Sequence, residues 1–254
     1  MAAEVLLIGP GPASKLLDAR TPEQTKAAIS AIESALGSVV WSPVGGNPTN
    51  HGTIELGMDP AAQLLERVVN AQEACLELEA LRRRASASSP HDAARKWFDV
   101  PTKGLADMSD ANVRALAERA VRVTMAESGV AKRPTVIIAD KGMGQHPSAF
   151  PSTLVGLSQS EKIEKPYLVG QYGQGGASTL MHSEYTIIAS RRAPDLLKDD
   201  EDDVIGFSVV RYRKGKVKGG VYEYLRGPNE EILAASPADL ESPLSQDHGT
   251  RITH

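Results

Sequence analysis

A chain of 254 residues with 41% hydrophobic content carries enough apolar side chain for one packed domain or a small pair, which excludes wholesale disorder. Its 28 Lys and Arg against 32 Asp and Glu leave a formal charge of -4, so no global positive field gathers nucleic acid and only a local basic patch could do so. The single Cys75 excludes an internal disulfide and four-thiolate zinc sites. With no long apolar run and no signal-like opening, the expectation is a cytoplasmic protein without membrane attachment.

In chain order, Glu4 to Ile8 reads as a short strand, stopped by the run Gly9-Pro10-Gly11-Pro12. Thr21, Pro22 and Gln24 spell a capped helix start, and Ala28, Ile32 and Leu36 continue one apolar face up to Gly37. The Gly- and Pro-rich stretch from Trp41 to Gly57 predicts irregular chain with an edge strand over Thr53 to Leu56. Asp59 and Pro60 then open a helix running through Arg84, with Leu65, Val69 and Leu76 expected to face a sheet. The stretch Lys96 to Gly104 is too aromatic and proline-marked for a long helix. A second helix is predicted from Ser109 or Asp110 to Ser128, on a stripe of Val113, Leu116, Ala120, Val123 and Thr124.

From Pro134 the pattern turns to strands: Thr135 to Asp140, then a Gly-rich turn, a polar connection over 151 to 170, a second Gly-rich segment, and the strand from Glu184 to Ser190. The acidic run Asp199 to Asp203 reads as a solvated loop, and 204 to 225 as a hairpin around Gly215. The closing Arg-Ile-Thr-His looks like a strand cut short, which suggests either an N-terminal fragment of a longer protein or an unusually abrupt last strand. Helices early and strands late indicate an α+β two-layer sandwich, with a mixed, mostly antiparallel sheet and helices on one face.

Several clusters could carry chemistry. Gly9 to Lys15 follows a strand but lacks the Gly-Lys-Ser/Thr order of a phosphate loop, and its two prolines remove amides that a phosphate would need. Glu66 and Asn70 stand four apart, hence on one helical face about 6 Å apart along the axis, where a carboxylate and an amide can orient water and complete a magnesium shell; both are also ordinary on a solvated face. Asp140, at a strand end before Gly142 and Gly144, is either a rigid acceptor at the lip of a core or the cap of a tight turn. Gly170 to Gly176 precede a short helix, a position that can receive phosphate oxygens or simply connect elements. None of the six histidines has a credible metal spacing, and the basic residues Arg211, Arg213, Lys214, Lys216 and Lys218 suit a solvated or partner-facing hairpin better than a nucleic-acid surface.

Together, these boxes make the chain resemble the GHKL ATPase superfamily, which shares the Bergerat ATP-binding fold and includes DNA gyrase, the ninety-kilodalton heat-shock chaperones, sensor histidine kinases and mismatch-repair ATPases. The family's ExxxNAxDA box is similar to Glu66, Asn70, Ala71, Glu73 and Ala74, its DxGxG box to Asp140, Gly142 and Gly144, and its lid box, in the chaperone wording, to Gly170, Gln171, Tyr172, Gly173, Gln174, Gly175 and Gly176. Gly249 and Thr250 resemble the Gly-Thr of the strand that closes the pocket, so four boxes fall in family order across residues 59 to 254. Ser160 and Lys162 resemble, more loosely, the Ser/Thr-Lys element of some lids.

The resemblance implies ATP and Mg²⁺ as cofactors. It implies Glu66 as the base that activates water, Asn70 as the magnesium ligand, Asp140 as acceptor for the adenine amine, Gly144 as room for the base, Thr250 as part of the network around it, and Gly173 and Gly175 as phosphate wrappers. The metal would then arrive with the nucleotide. Residues 1–58 would be an N-terminal extension and 59–254 the ATP-binding domain. Departures from the family are Arg67 where many relatives have an apolar residue, Glu73 for Asp, and a long interval between the first two boxes.

The expectation is therefore an ATPase, weak in the isolated chain, whose lid closure signals to a homodimer mate, a downstream domain, or a protein partner or client. The rival expectations are a nucleotide-binding interaction module with negligible hydrolysis, and an ATPase component of DNA repair or anti-phage defence, which the net charge does not favour.

Overall fold

A computed structural model describes residues 3–55, 59–157, 165–168, 175–215 and 219–254. The strands within them, β1 (Val5–Leu7), β2 (Val40–Pro43), β3 (Val121–Ala126), β4 (Thr135–Asp140), β5 (Tyr185–Arg191), β6 (Ile205–Lys214), β7 (Gly220–Arg226), β8 (Ile232–Ala235) and β9 (Gly249–Thr253), form one 9-stranded sheet. Its order is β1-β8-β6-β5-β9-β4-β3, with β7 beside the far half of β6 and β2 beside β7. Every pairing is antiparallel except β1 with β8. The expected α+β sandwich on a mostly antiparallel sheet is therefore present.

The period-2 alternation of the central strands sorts side chains to two cores. Ile187, Ala189, Ile205, Phe207, Val209 and Leu233 face one way, and α1 (Pro10–Leu17) and α2 (Pro22–Leu36) close over them with Leu16, Leu17, Ala28 and Ile32. Full burial of side chains such as Phe207 and Ile205 contributes roughly 1.5 to 3 kcal/mol each. Ile188, Val210, Ile232 and Ile252 face the other way, against Phe150, Val155 and Leu180. Residues 3–55 thus give the sheet two of its edge strands, cover one face with α1 and α2, and add Val44 and Ile54 to the core on the other.

Local signals explain the secure elements. Thr21 accepts from the Gln24 N–H and Gln24 reciprocates, while Pro22 opens α2 and Gly37 ends it in the left-handed region. Asp59 caps α4 (Pro60–Arg83) by accepting from the Ala61 N–H at 3.0 Å. The hairpin forms as expected, with Val210 opposite Tyr224 and Lys214 opposite Gly220.

Four expectations are corrected. Gly9 to Pro12 do not merely stop β1: Pro10 takes the first turn of α1, where its missing N–H costs nothing. The edge strand over Thr53 to Leu56 is instead α3 (His51–Ile54), tied down by the buried Asn50 amide, which donates to the Val44 and Tyr222 carbonyls at 3.0 and 2.7 Å. The helix drawn from 109 to 128 stops at Arg119 as α6 (Asp110–Arg119), and Val121–Ala126 is β3. α6 buries no side chain, so its continuation gains little, whereas β-branched Val121, Val123 and Thr124 gain a full ladder against β4. Finally, α4 is rotated from the expected face: Leu65 is 61% exposed, Leu76 packs on α5 (Pro90–Phe98), and Gln63, Arg67, Ala71, Cys75 and Leu78 are among the residues it buries.

Candidate functional site

β4 ends at Asp140, with β9 alongside in the register that sets Ile138 opposite Ile252. β5 flanks β9 with Ser190 opposite Thr250. Continuing these registers puts Asp140, Thr250 and Ser190 on the same sheet face as Ile252 and Ile188. The chain leaving β4 is then held by its neighbours: the Lys141 N–H donates to Ala120 C=O at 2.8 Å, the Met143 N–H to Ala74 C=O of α4 at 3.1 Å, and the Ala193 N–H to Met143 C=O at 2.9 Å.

Two glycines on this path are required by space. A Cβ at Gly144, where φ is +60°, would lie 1.9 Å from the Arg191 carbonyl oxygen, and one at Gly249, at φ +114°, would lie 2.0 Å from that of Asp140.

Asp140 is buried, and the N–H groups of Gly142 and Thr250 donate to its Oδ1 at 2.9 and 3.1 Å. Among the described residues no hydrogen bond reaches Oδ2, which leaves an acceptor for an incoming donor. Burial pushes the carboxyl up to about 7, and the two N–H bonds hold it down only partly. The same burial, with the Asp140 charge nearby, pushes the Cys75 thiol up, so it stays an inert thiol whose Sγ donates to Ala120 C=O at 3.6 Å.

Ser190 completes the ring: its Oγ accepts from the Gln145 N–H at 2.8 Å, donates toward Gly249 C=O at 3.1 Å and lies 2.9 Å from Thr250 Oγ1. Outside it, Arg82 forks onto Asp195 at 2.7 and 2.8 Å, His248 Nδ1 bonds the Gly142 carbonyl at 2.8 Å, and Lys141 pairs with Asp247 at 2.6 Å.

α4 supplies the second wall. Glu66, Asn70, Glu73 and Glu77 follow spacings of four, three and four, one stripe beside the inward face. Glu66 is exposed, Asn70 half-buried and Glu73 buried. Glu77 ion-pairs with Lys165, and two residues on, Tyr167 meets Trp97 of α5 edge-to-face at 5.6 Å. Arg67 turns inward, its Nε donating to Thr179 Oγ1 at 2.9 Å just beyond α7 (Gly175–Ser178), and burial pushes its guanidinium down to about 10.

The chain on either side of residues 169–174 is thus fastened to α4 at positions 77 and 67, ten residues or about 15 Å apart along the helix. Asn70 and Glu73 lie between the two attachments. Arg67 anchors the far end of this strip from below.

The structure therefore brings Asp140, Gly142, Gly144 and Thr250 together with the Ala74 turn of α4, and sets Asn70 and Glu66 on the same helix toward its start. Gly175 and Gly176 open α7. Ser160, Lys162, Gly170, Gln171, Gly173 and Gln174 lie outside the described residues. Sequence reasoning missed Ser190, Arg82, His248 and the Arg67 anchor. Ser190 carried one weak sign, a small polar residue at the end of an apolar strand, whereas the others depend on contacts between distant segments.

Among the described residues no group of three His, Cys, Asp or Glu could hold a metal ion. A cavity of about 280 Å³ lies at the opposite end of β4 and β9, lined by Arg20, Thr135 and His254. It contains none of the Asp140 cluster. In the basic hairpin Arg211 and Arg213 share the buried Glu223 at 2.8 to 2.9 Å, and Arg211 stacks on Trp41 at 3.6 Å. No protein-family model and no curated protein matches the chain.

Proposed function

We propose that this chain binds an adenine nucleotide with Mg²⁺, the base seated on Asp140 and the phosphates running along α4 toward Asn70 and Glu66, and that it hydrolyses ATP to switch a partner or a further domain. The observation that carries this reading is the convergence of Asp140, Gly142, Gly144, Gly249 and Thr250, distant in sequence, on one buried acceptor whose Oδ2 is open. A base with an exocyclic amine is the ligand such a group suits, because the amine would donate to the carboxylate, while the glycines let the neighbouring backbones close tightly around that acceptor.

The residues fit the implied cofactors. Asp140 and Thr250 would hold the base, Ser190 keeps Thr250 oriented, and Asn70 would offer its amide oxygen to the metal. Magnesium, when bound with the nucleotide, would screen phosphate charge during attack by water. Glu66 is the side chain that would take a proton from that water at its carboxylate oxygen. The axial distance from Ala74, beside the base, to Glu66 is eight residues or about 12 Å, so base and reacting phosphate fall at separate points on one rigid helix. By the family resemblance, the lid glycines would be Gly170, Gly173, Gly175 and Gly176.

One observation favours a second reading, a nucleotide-binding module without appreciable turnover: Glu66 is exposed, whereas Asp140 is buried and fixed. Calorimetric titration of ATP, with and without Mg²⁺, alongside phosphate release tests both. Micromolar binding with turnover supports the ATPase, binding without turnover supports the module, and absence of binding by ATP, ADP and adenosine overturns both.

A further inference from the structure

Among the described residues β3 ends the sheet and no strand pairs with its outer side. Its inner side is set by the Ala120 carbonyl, which accepts from Lys141, and by the register of Val123 opposite Ile138. Residues 122, 124 and 126 therefore bond β4, and the N–H and C=O groups of Val121, Val123 and Met125 face outward. Met125 is 70% and Val123 43% exposed. The edge carries no proline, and Arg122 is its one charge. The opposite margins of the sheet end in strands of 3 and 4 residues, too short to template another chain, whereas β3 offers 6.

We propose that two copies of this chain pair antiparallel through β3, about a two-fold axis at Val123, joining their sheets edge to edge. Such an axis stands perpendicular to the sheet and keeps each side chain on its own face, so outward-bonding residues must meet outward-bonding residues. Centring it on Val123 is the register that uses all three: Val123 faces its own copy and Val121 faces Met125, each residue both donating and accepting.

Side chains agree with this register. Exposed apolar groups cover one another on one face, and on the other Arg122 lies opposite Thr124, so no like charges meet. These features select a second copy over an unrelated strand, because the complementarity is of this sequence with itself. The inference does not depend on nucleotide binding.

Sedimentation of the 254-residue chain should show a monomer–dimer equilibrium in the micromolar range. Val123→Pro should weaken it at least tenfold while leaving the fold intact, since the lost N–H is an outward one. Should that variant fold poorly, Val123→Lys sets two ammonium groups face to face and should act alike. Val123→Cys should form a disulfide-linked dimer on mild oxidation, because residues so paired have Cα atoms about 5.5 Å apart. Met125→Cys should not, as its copies sit four residues apart in register, about 13 Å. A wild type that stays monomeric at 100-fold higher concentration, a dimer untouched by the proline and lysine variants, or cross-linking at 125 instead of 123, overturns the proposal.

Discussion

The protonation of Asp140 gives the sharpest test of the base-binding assignment. In the ligand-free chain burial raises this carboxyl from 3.8 to about 7, so between those values the folded state holds a proton that the unfolded chain releases. Stability of the free protein should therefore fall as pH rises through this window, by an amount on the order of 4 kcal/mol if the full interval is expressed. Ligand binding should run the other way: an exocyclic amine donates to the ionised oxygen, so affinity requires the form that the empty site disfavours.

With a midpoint near 7, the ionised fraction drops about tenfold between pH 8 and pH 6. Adenosine is the right probe, because it lacks phosphates that titrate in the same range. Its affinity by calorimetry should decline about tenfold over that interval in the wild type. Asp140→Asn should bind roughly 5- to 150-fold more weakly at pH 8, the worth of about 1 to 3 kcal/mol for a charge-assisted bond, and should lose the pH dependence. Wild-type affinity that is flat from pH 6 to 8, or an Asn variant that binds as tightly as wild type, would refute the assignment of Asp140 to the base.

Gly249→Ala should lose roughly 3 kcal/mol or more in urea unfolding, because its Cβ would sit 2.0 Å from the Asp140 carbonyl oxygen at φ +114°; a loss below 1 kcal/mol would mean the turn relaxes freely. Glu66→Gln should keep Mg-ATP affinity but cut phosphate release by about 100-fold, whereas Asn70→Ala should weaken Mg-ATP and leave adenosine binding nearly unchanged. Equal turnover in both variants and wild type would remove this face of α4 from the reaction. Arg67→Met should match or exceed wild-type stability, since it removes a desolvated guanidinium that pairs with no carboxylate among the described residues; a loss above about 2 kcal/mol would show that the charge itself is needed.

What the sequence could reveal was what local rules govern. Caps at Thr21 and Asp59 and the alternation in β5 and β6 are readable because each depends on residues within a turn or two of one another. β3 was misread because Val113, Leu116, Ala120 and Val123 satisfy a helical period as well as Val121, Val123 and Met125 satisfy a strand. Only pairing with β4, which is absent from the local string, breaks the tie. The face of α4 failed for a related reason. Apolar Leu65 suggested an inward side chain, yet the inward positions include Gln63 and Arg67, whose polar ends meet Met181 and Thr179 more than a hundred residues away.

That polar inward stripe also bears on how the proposed reaction is divided along the helix. Near Ala74, the wall is backbone packed against backbone, with glycines where side chains would collide, so the proposed base position would be rigid before a ligand arrives. Near Glu66, the carboxylate lies in solvent, and its helix meets the segment from Gly175 on through polar contacts that include Arg67–Thr179 and Gln63–Met181. Affinity should then come mainly from the preformed end, and turnover from an arrangement at the other end that forms only with phosphates in place. Adenosine and ATP should accordingly differ far less in affinity than the charge of a triphosphate suggests. Strong preference for ATP over adenosine, by more than about a thousandfold or roughly 4 kcal/mol, would instead mean that the phosphate end is as preformed as the base end.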